Sequence, residues 1–347
     1  MTWSGTGTGT GLGSPAAVIC GLGTAVPDTV VANEDICAHL AGVTPDWIAS
    51  RTGITHRVRA GRHVSTADLA VQAGARALAS CESTAVDVLV LATVTPDHRL
   101  PATAPEVAAR LGLPGIPAFD LSAACTGLLY ALGVAGTFLV TGTARQVLVV
   151  AADRLAHLTD PTDPATAPLF GDAAAALLLR RGTAGEPGAL GPVLLGADGR
   201  HADALVVPHG GLMRMRGPET FHHAVTRMSE VSQQAVQAAG WSLADLDRFV
   251  PHQANARITA AVGRRLHLDE PRVLQHIERV GNTSAASIAL TLATASADGR
   301  LRPGHRVLMA AFGAGLTWGA ATVLWPGLNP PAHQVGSSPR QEKEAAR

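Results

Sequence analysis

Two segments of this chain carry the same order of elements, and that duplication narrows the possible folds more than any single motif does. In the first, Asp87–Thr93 (DVLVLAT) is a continuous apolar run of the kind that forms a strand buried on both faces. A small-residue turn, Asp120–Gly127 (DLSAACTG), then opens a long uncharged helix. Gln146–Ala152 is another buried strand, and Phe170-Gly171-Asp172 turns into a further one. The second segment repeats the sequence of events: a strand at Asp247–Pro251, a helix opened by Asn282-Thr283-Ser284, a strand at Arg306–Ala311, then Thr317-Trp318-Gly319 and a last strand. Strands alternating with helices, twice over, predict an α/β chain built from two similar halves. On this pattern Asn282 takes the place in the second half that Cys125 takes in the first. A pseudo-twofold packing would bring both helix starts to one central site. His252, in PHQAN, ends a strand, and strand ends in α/β proteins face the ligand crevice.

No charge occurs from Leu121 to Ala144, so the helix after Cys125 belongs inside a core. Its length would permit a membrane span, but Ser122, Thr126, Thr137, Thr141 and several glycines favour burial within protein. The free N–H groups and the macrodipole of a helix start stabilise a thiolate at Cys125. Such thiols can fall from a pKa of about 8.5 to roughly 3.5–7.5. Taken singly, each candidate has a plainer explanation. A lone cysteine is commonly a small buried hydrophobe, Asn282 is an ordinary helix cap, and one histidine among 14 is usually structural or exposed.

Elsewhere, Ala16–Gly21 and the GLGTAVP that follows read as a strand and a glycine turn. Pro27 interrupts the superficial likeness to a dinucleotide-binding loop. Asn33-Glu34-Asp35 starts a helix, Ser65–Asp68 is a capping box for a helix to about Ala79, and another helix lies around Ala104–Leu111. Charge is balanced, with 27 basic and 27 acidic residues, which argues against nucleic acid or another polyanion as partner. The four cysteines have no metal-ligand spacing, and a reduced, cytoplasmic compartment fits them. Lys343 is the only lysine, which excludes a Schiff base in the folded part. Residues 1–15 lack the basic and apolar blocks of a signal peptide and read as a disordered leader. Residues 329–347 read as a disordered tail. The two halves are expected at 16–183 and 184–328.

One cysteine, one histidine and one asparagine converging on a pocket suit carbon–carbon bond formation on thioesters. Cys125 would carry an acyl group, and His252 and Asn282 would donate hydrogen bonds to a second thioester carbonyl as malonate loses carbon dioxide. The backbone N–H groups of Cys125 and of the turn Phe312-Gly313-Ala314-Gly315 could form an oxyanion hole.

TPDWIASRTGI, FDLSAACTG, DPTDP, LFGDA, VPHQANARI, GNTSAAS and AFGAGLTWG, in this order from about residue 16 to 326, resemble the β-ketoacyl-acyl-carrier-protein synthase III family. The resemblance implies a thiolase-like fold, with duplicated βαβαβαββ halves in five α-β-α-β-α layers. It implies Cys125, His252 and Asn282 as the catalytic set, an oxyanion hole from the backbones of Cys125 and Ala314, and Phe312 beside the thiol. Glycine is usual where Ala314 stands. Trp47, Arg51, Thr52 and Asn255 match the family's pantetheine and coenzyme A contacts, and Arg257, Arg264 and Arg265 match a surface for acyl carrier protein. Leu100 falls where the family often has a phenylalanine at the floor of the partner subunit's acyl pocket. Pro164 stands where an arginine often covers the adenine, which favours a carrier-bound donor. The resemblance further implies a homodimer with no metal or cofactor, acting on acyl thioesters in fatty acid or specialised polyketide biosynthesis. The alternative is a relative that moves an acyl group to an alcohol, amine or carrier thiol without condensation. A non-catalytic partner subunit is disfavoured, because Cys125 is present.

Overall fold

The computed structural model describes residues 3–4, 13–81 and 85–328. In the first half, β1 (Trp3–Ser4) precedes the long strand β2 (Pro15–Ala25). The antiparallel pair β3 (Thr29–Ala32) and β4 (His56–Arg59) encloses α1 (Asn33–Cys37) and α2 (Pro45–Thr52). Then come α3 (Thr66–Ser80), β5 (Val88–Ala92), α4 (Ala104–Arg110), β6 (Ala118–Leu121), α5 (Gly127–Val140), β7 (Gln146–Arg154) and β8 (Asp172–Thr183). The second half runs through β9 (Leu190–Ala197), the short pair β10 (Leu205–Val206) and β11 (Arg214–Met215), then α6 (Gly217–Ala238) and β12 (Arg248–Pro251). It ends with α7 (Ala256–Arg265), α8 (Ile277–Val280), α9 (Ser287–Ala297), β13 (Arg306–Gly313) and β14 (Thr317–Leu324).

The strands form two five-stranded mixed sheets, ordered β2-β8-β7-β5-β6 and β1-β9-β14-β13-β12. The expected repeat is present in both. Parallel pairs β5–β7 and β12–β13 occupy matching places, as do the antiparallel pairs β7–β8 and β13–β14. Where β6 lies parallel to β5, the second sheet has only the single parallel bridge between Phe249 and Val273. α5 packs on strands of both sheets and α9 lies beside it, while α3 covers the outside of the first sheet and α6 that of the second. Five layers result. A helix packed between two sheets hides most of its surface, so α5 is apolar nearly all round, with Thr137 left exposed. Leu128, Leu129, Leu132 and Leu139 are at most 1% exposed, each worth about 1.5–3 kcal/mol of burial.

The capping box is realised, with the Ser65 N–H donating to Asp68 and the Asp68 N–H to the Ser65 hydroxyl. The glycines of GLGTAVP have a packing role. A Cβ on Gly23 would lie 2.2 Å from the Ala73 carbonyl oxygen and 2.3 Å from the Ala77 nitrogen, so β2 touches the backbone of α3 there. Gly23→Ala is therefore expected to destabilise the fold by about 3 kcal/mol, the upper end of ordinary overpacking. Denaturant unfolding would read it, and a loss under about 0.5 kcal/mol would show that α3 can yield.

The leader expected to be disordered differs in part: Trp3–Ser4 pairs antiparallel with Leu194–Leu195, and Pro15 already belongs to β2. The rest of the leader up to residue 12, and the tail from 329, lie outside the described residues. No helix among the described residues is long and apolar enough to cross a membrane.

Candidate active site

Each half delivers its residues through the same device. A short 3₁₀ turn, Ala124–Thr126 or Ser284–Ala286, precedes the central helix, and its first residue has a positive φ: 48° at Ala124 and 51° at Ser284. The two turns meet, since a Cβ on Gly127 would lie 3.3 Å from the Cβ of Ala285. This geometry corrects the register of the repeat. Ser284 matches Ala124, so Cys125 is matched by Ala285, and Asn282 lies three residues earlier, opposite Ser122. The helix starts do converge, but the asparagine enters from the approach to its turn.

Cys125, His252, Asn282 and Phe312 line one cavity of about 450 Å³, which runs outward past Phe221, Asn255 and Arg257. Asn282 is held through its backbone: its N–H donates to the Leu169 carbonyl, and its own carbonyl accepts from the Gly171 N–H. Arg57, fully buried, supports that segment by donating to the Pro168 carbonyl and to Asn33 Oδ1. The side-chain oxygen of Asn282 accepts from the Ser284 N–H at 2.9 Å. Its Nδ2 is thereby the donor left for a ligand. His252 follows β12, and its N–H donates to the Ala310 carbonyl. Its Nδ1 lies 2.7 Å from the Ser287 hydroxyl, which also accepts from the Gln253 N–H, and Nε2 has no partner among the described residues. If the Ser287 hydroxyl donates to Nδ1, the proton sits on Nε2, the tautomer a donor role requires.

Burial decides the charge state of the site. It pushes the His252 ring down to about 3, against a smaller opposing effect of the Ser284 backbone, so the imidazole is neutral near pH 7. It also pushes the Cys125 thiol up to about 12, outweighing the Ser284 hydroxyl that favours the thiolate; the charge of Asp153 adds to the rise. Burial thus works against the thiolate expected from the helix start.

The backbone of Cys125 meets the end of β13: a Cβ on Gly313 would lie 2.9 Å from the Cys125 nitrogen. Thr317 locks the turn, donating its hydroxyl at 3.1–3.2 Å from the carbonyls of Ala314 and Ala123. Of the expected substrate contacts, Asn255 reaches the cavity, and so does Arg257, which was expected to meet the carrier protein. Asn255 caps α7 and donates from Nδ2 to the Arg51 carbonyl, joining α2 to the mouth. Trp47 is 38% exposed with the Arg51 guanidinium 5.5 Å from its ring centre, but neither lines the cavity. Thr52 does not line it either. It is buried, and its hydroxyl donates to the Ile48 carbonyl and accepts from the Ile54 N–H, so it closes its own helix. Arg264 and Arg265 are exposed on the last turn of α7, with Arg265 donating to Thr226. Leu100 is 88% exposed and touches no part of this cavity.

Sequence reasoning missed Ser284, Ser287, Thr317 and Asp153, whose partners lie far along the chain. Away from the cavity, His201, Glu219 and His223 bring ligand-type atoms within 4.8 Å of one another. Glu219 is already engaged there by Arg216 at 2.6 Å and by His201 at 3.1 Å, which makes the trio an ion-paired surface cluster.

With this geometry in place, comparison with known proteins is informative. A family model for 3-oxoacyl-[acyl-carrier-protein (ACP)] synthase III matches residues 119–199, and the model of its C-terminal part matches residues 236–325. Beta-ketoacyl-[acyl-carrier-protein] synthase III 2 of Streptomyces coelicolor is 48% identical over 319 residues, 92% of this chain and 96% of its own. The crystal structure of 3-oxoacyl-(acyl carrier protein) synthase III from Pseudomonas aeruginosa is 46% identical, with a TM-score of 0.88 over 91% of this chain and all of that one. The priming β-ketosynthase of the R1128 polyketide pathway is 34% identical, with a TM-score of 0.85 over 93% of this chain and all of its own.

Proposed function

Because the chain belongs to the β-ketoacyl-acyl-carrier-protein synthase III family, we propose that it joins an acyl thioester to malonyl-acyl-carrier protein by decarboxylative Claisen condensation. The carrying observation is that Cys125 from one half and His252 and Asn282 from the other line a single cavity. Cys125 attacks the acyl thioester and holds the acyl group while the first thiol departs. Malonyl-carrier protein then enters. The Nε2–H of His252 and Nδ2 of Asn282 donate to its thioester carbonyl as carbon dioxide leaves, and the enolate carbon attacks the acyl-cysteine. The Cys125 and Ala314 N–H groups receive the oxyanion in the acyl-transfer steps. No metal or redox cofactor has a step in this scheme. Intact-mass analysis across a panel of acyl donors, paired with release of labelled carbon dioxide from malonyl-carrier protein, tests it. Acylation without carbon dioxide release, together with transfer to an alcohol or amine, would leave the non-condensing alternative.

The donor side of the reading favours a carrier protein over free coenzyme A. Pro164 offers no cation for an adenine face, whereas Arg257 lies at the mouth and Arg264 and Arg265 extend the same helix. Acyl carrier protein would dock on this face in a reduced, cytoplasmic compartment. For one acyl group on both carriers, kcat/KM is expected to be higher with the carrier protein. Arg264→Glu should lower that ratio by about tenfold, more at low salt than at high. An unchanged ratio at every ionic strength would remove the docking surface. We further propose, from its position in the family pattern, that the exposed Leu100 enters the acyl pocket of a partner subunit. A monomer at micromolar concentration in sedimentation would refute that homodimer.

A further inference from the structure

We infer that Arg57, on β4 of the first half, is a positioning residue for Asn282 in the second, and so serves decarboxylation rather than the loading of Cys125. The inference rests on the condensing reading proposed above. Arg57 is fully buried, and its hydrogen bonds go to uncharged oxygens. Nη1 donates to the Val31 carbonyl at 3.1 Å, while Nη2 donates to Asn33 Oδ1 at 2.7 Å and to the Pro168 carbonyl at 2.8 Å. Nε has no partner among the described residues. Burying a cation among neutral acceptors is unfavourable, and an apolar side chain of similar volume would fill the space without that penalty. What the apolar side chain lacks is a fork that holds β3, the start of α1 and the segment 168–172 in one register.

The path from Arg57 to Asn282 is short. Segment 168–172 is held at both ends by the β4 chain: Arg57 takes the Pro168 carbonyl, and the Ala60 N–H donates to Asp172 Oδ2 at 2.9 Å. Between those ends, the Leu169 carbonyl accepts from the Asn282 N–H at 2.8 Å, and the Gly171 N–H donates to the Asn282 carbonyl at 3.0 Å. Asn282 therefore pairs with the middle of a segment fixed on either side. A second contact reaches it through Gly281. A Cβ there would lie 2.9 Å from Arg57 Cβ and 2.9 Å from the Leu169 carbonyl oxygen. Gly281 also has φ 74° and ψ −164°, a region open almost only to glycine. The stem of Arg57 thus packs against the residue that turns the chain into Asn282, while its head holds the segment alongside. Thr55 adds a tie, since its N–H and its hydroxyl both donate to the Glu278 carbonyl and fasten α8 to the same ribbon. With that backbone fixed and Oδ1 taken by the Ser284 N–H, the direction of Asn282 Nδ2 is set. Cys125 is carried differently. None of the hydrogen-bond partners of Arg57 lies on β6, the turn Ala124–Thr126 or α5.

The test compares half-reactions in Arg57→Met, with Arg57→Lys as the conservative variant. Arg57→Met should lose carbon dioxide release from malonyl-carrier protein on the order of 10- to 100-fold, since misplacing a reacting group by about 1 Å costs up to about 100-fold. Acylation of Cys125, read by intact mass on the same preparation, should change little. Arg57→Lys should recover part of the release, because an ammonium supplies donors without the fork. Partial unfolding would lower both half-reactions in step, so parallel losses overturn the assignment, as do unchanged rates. Added to Asn282→Ala, Arg57→Met should slow release no further, since a residue acting through Asn282 has nothing left to orient. A further loss of the same size overturns it. Should Arg57→Met fail to fold, Arg57→Lys decides: a smaller but selective loss of release upholds the assignment, and a parallel or absent loss overturns it. Hydrogen exchange separates this inference from the proposed function. In Arg57→Met the Asn282 and Gly171 amides should exchange about tenfold faster while those of α5 do not. If wild type releases no carbon dioxide from any malonyl donor, faster exchange at those amides leaves the positioning standing and the proposed function falls. Unchanged exchange at both amides overturns the positioning.

Discussion

Cys125→Ala loads no acyl group from any donor and makes no condensation product, a loss of at least about a thousandfold in rate. The effect is this large because no other thiol can substitute: Cys20, Cys37 and Cys81 are partly exposed and lie outside the cavity. Intact mass after incubation with an acyl donor should show one hydroxylamine-labile adduct per wild-type chain and none in the variant. The variant should keep its fold, because removing one sulfur from a buried position opens only a small cavity. An adduct that persists in Cys125→Ala would move the nucleophile to another residue.

His252→Ala and Asn282→Ala should separate the two half-reactions. Both are expected to accept an acyl group at Cys125 and to lose carbon dioxide release from malonyl-carrier protein by a factor of about 100–1,000, the usual effect of removing one oxyanion donor. The separation follows from where each group points its chemistry. Asn282 keeps Oδ1 on the Ser284 N–H and has only Nδ2 to offer, while His252 is neutral with Nε2 unengaged. Neither is arranged to take the thiol proton. Acyl-enzyme mass and labelled carbon dioxide, measured on the same preparations, decide the matter. Equal losses in both steps would mean that the pair serves loading as well, and that the division between halves is wrong.

Much of this architecture could be read from the order of elements. Buried strands such as Val88–Ala92, the uncharged run that became α5 and the Ser65–Asp68 cap depend on residues close in sequence, so local patterns reveal them. The convergence of Cys125, His252 and Asn282 was legible because a duplicated chain packs its copies about an axis. The three-residue offset of Asn282 was not, since only the positive φ at Ala124 and Ser284 marks equivalent positions. The burial that works against the thiolate was hidden for a different reason. A helix start is local, whereas desolvation depends on both sheets closing over the cysteine. The local bonding of Thr52 was equally out of sight, because a threonine near a helix end satisfies its own backbone as readily as it meets a ligand.

The seam between the halves has a consequence for how this protein fails. Cys125 lies in one half and His252 and Asn282 in the other, and they are registered by bridges such as Thr317 to Ala123 and Gly171 to Asn282 and by the apolar core the halves share. A slip of one half against the other, small enough to leave each sheet and its helices intact, would misalign the two reaction partners. Catalysis is therefore the more fragile property. Mild urea or pressure should silence condensation while circular dichroism still reports a native fold, and the enzyme should recover at once on dilution, since nothing has unfolded.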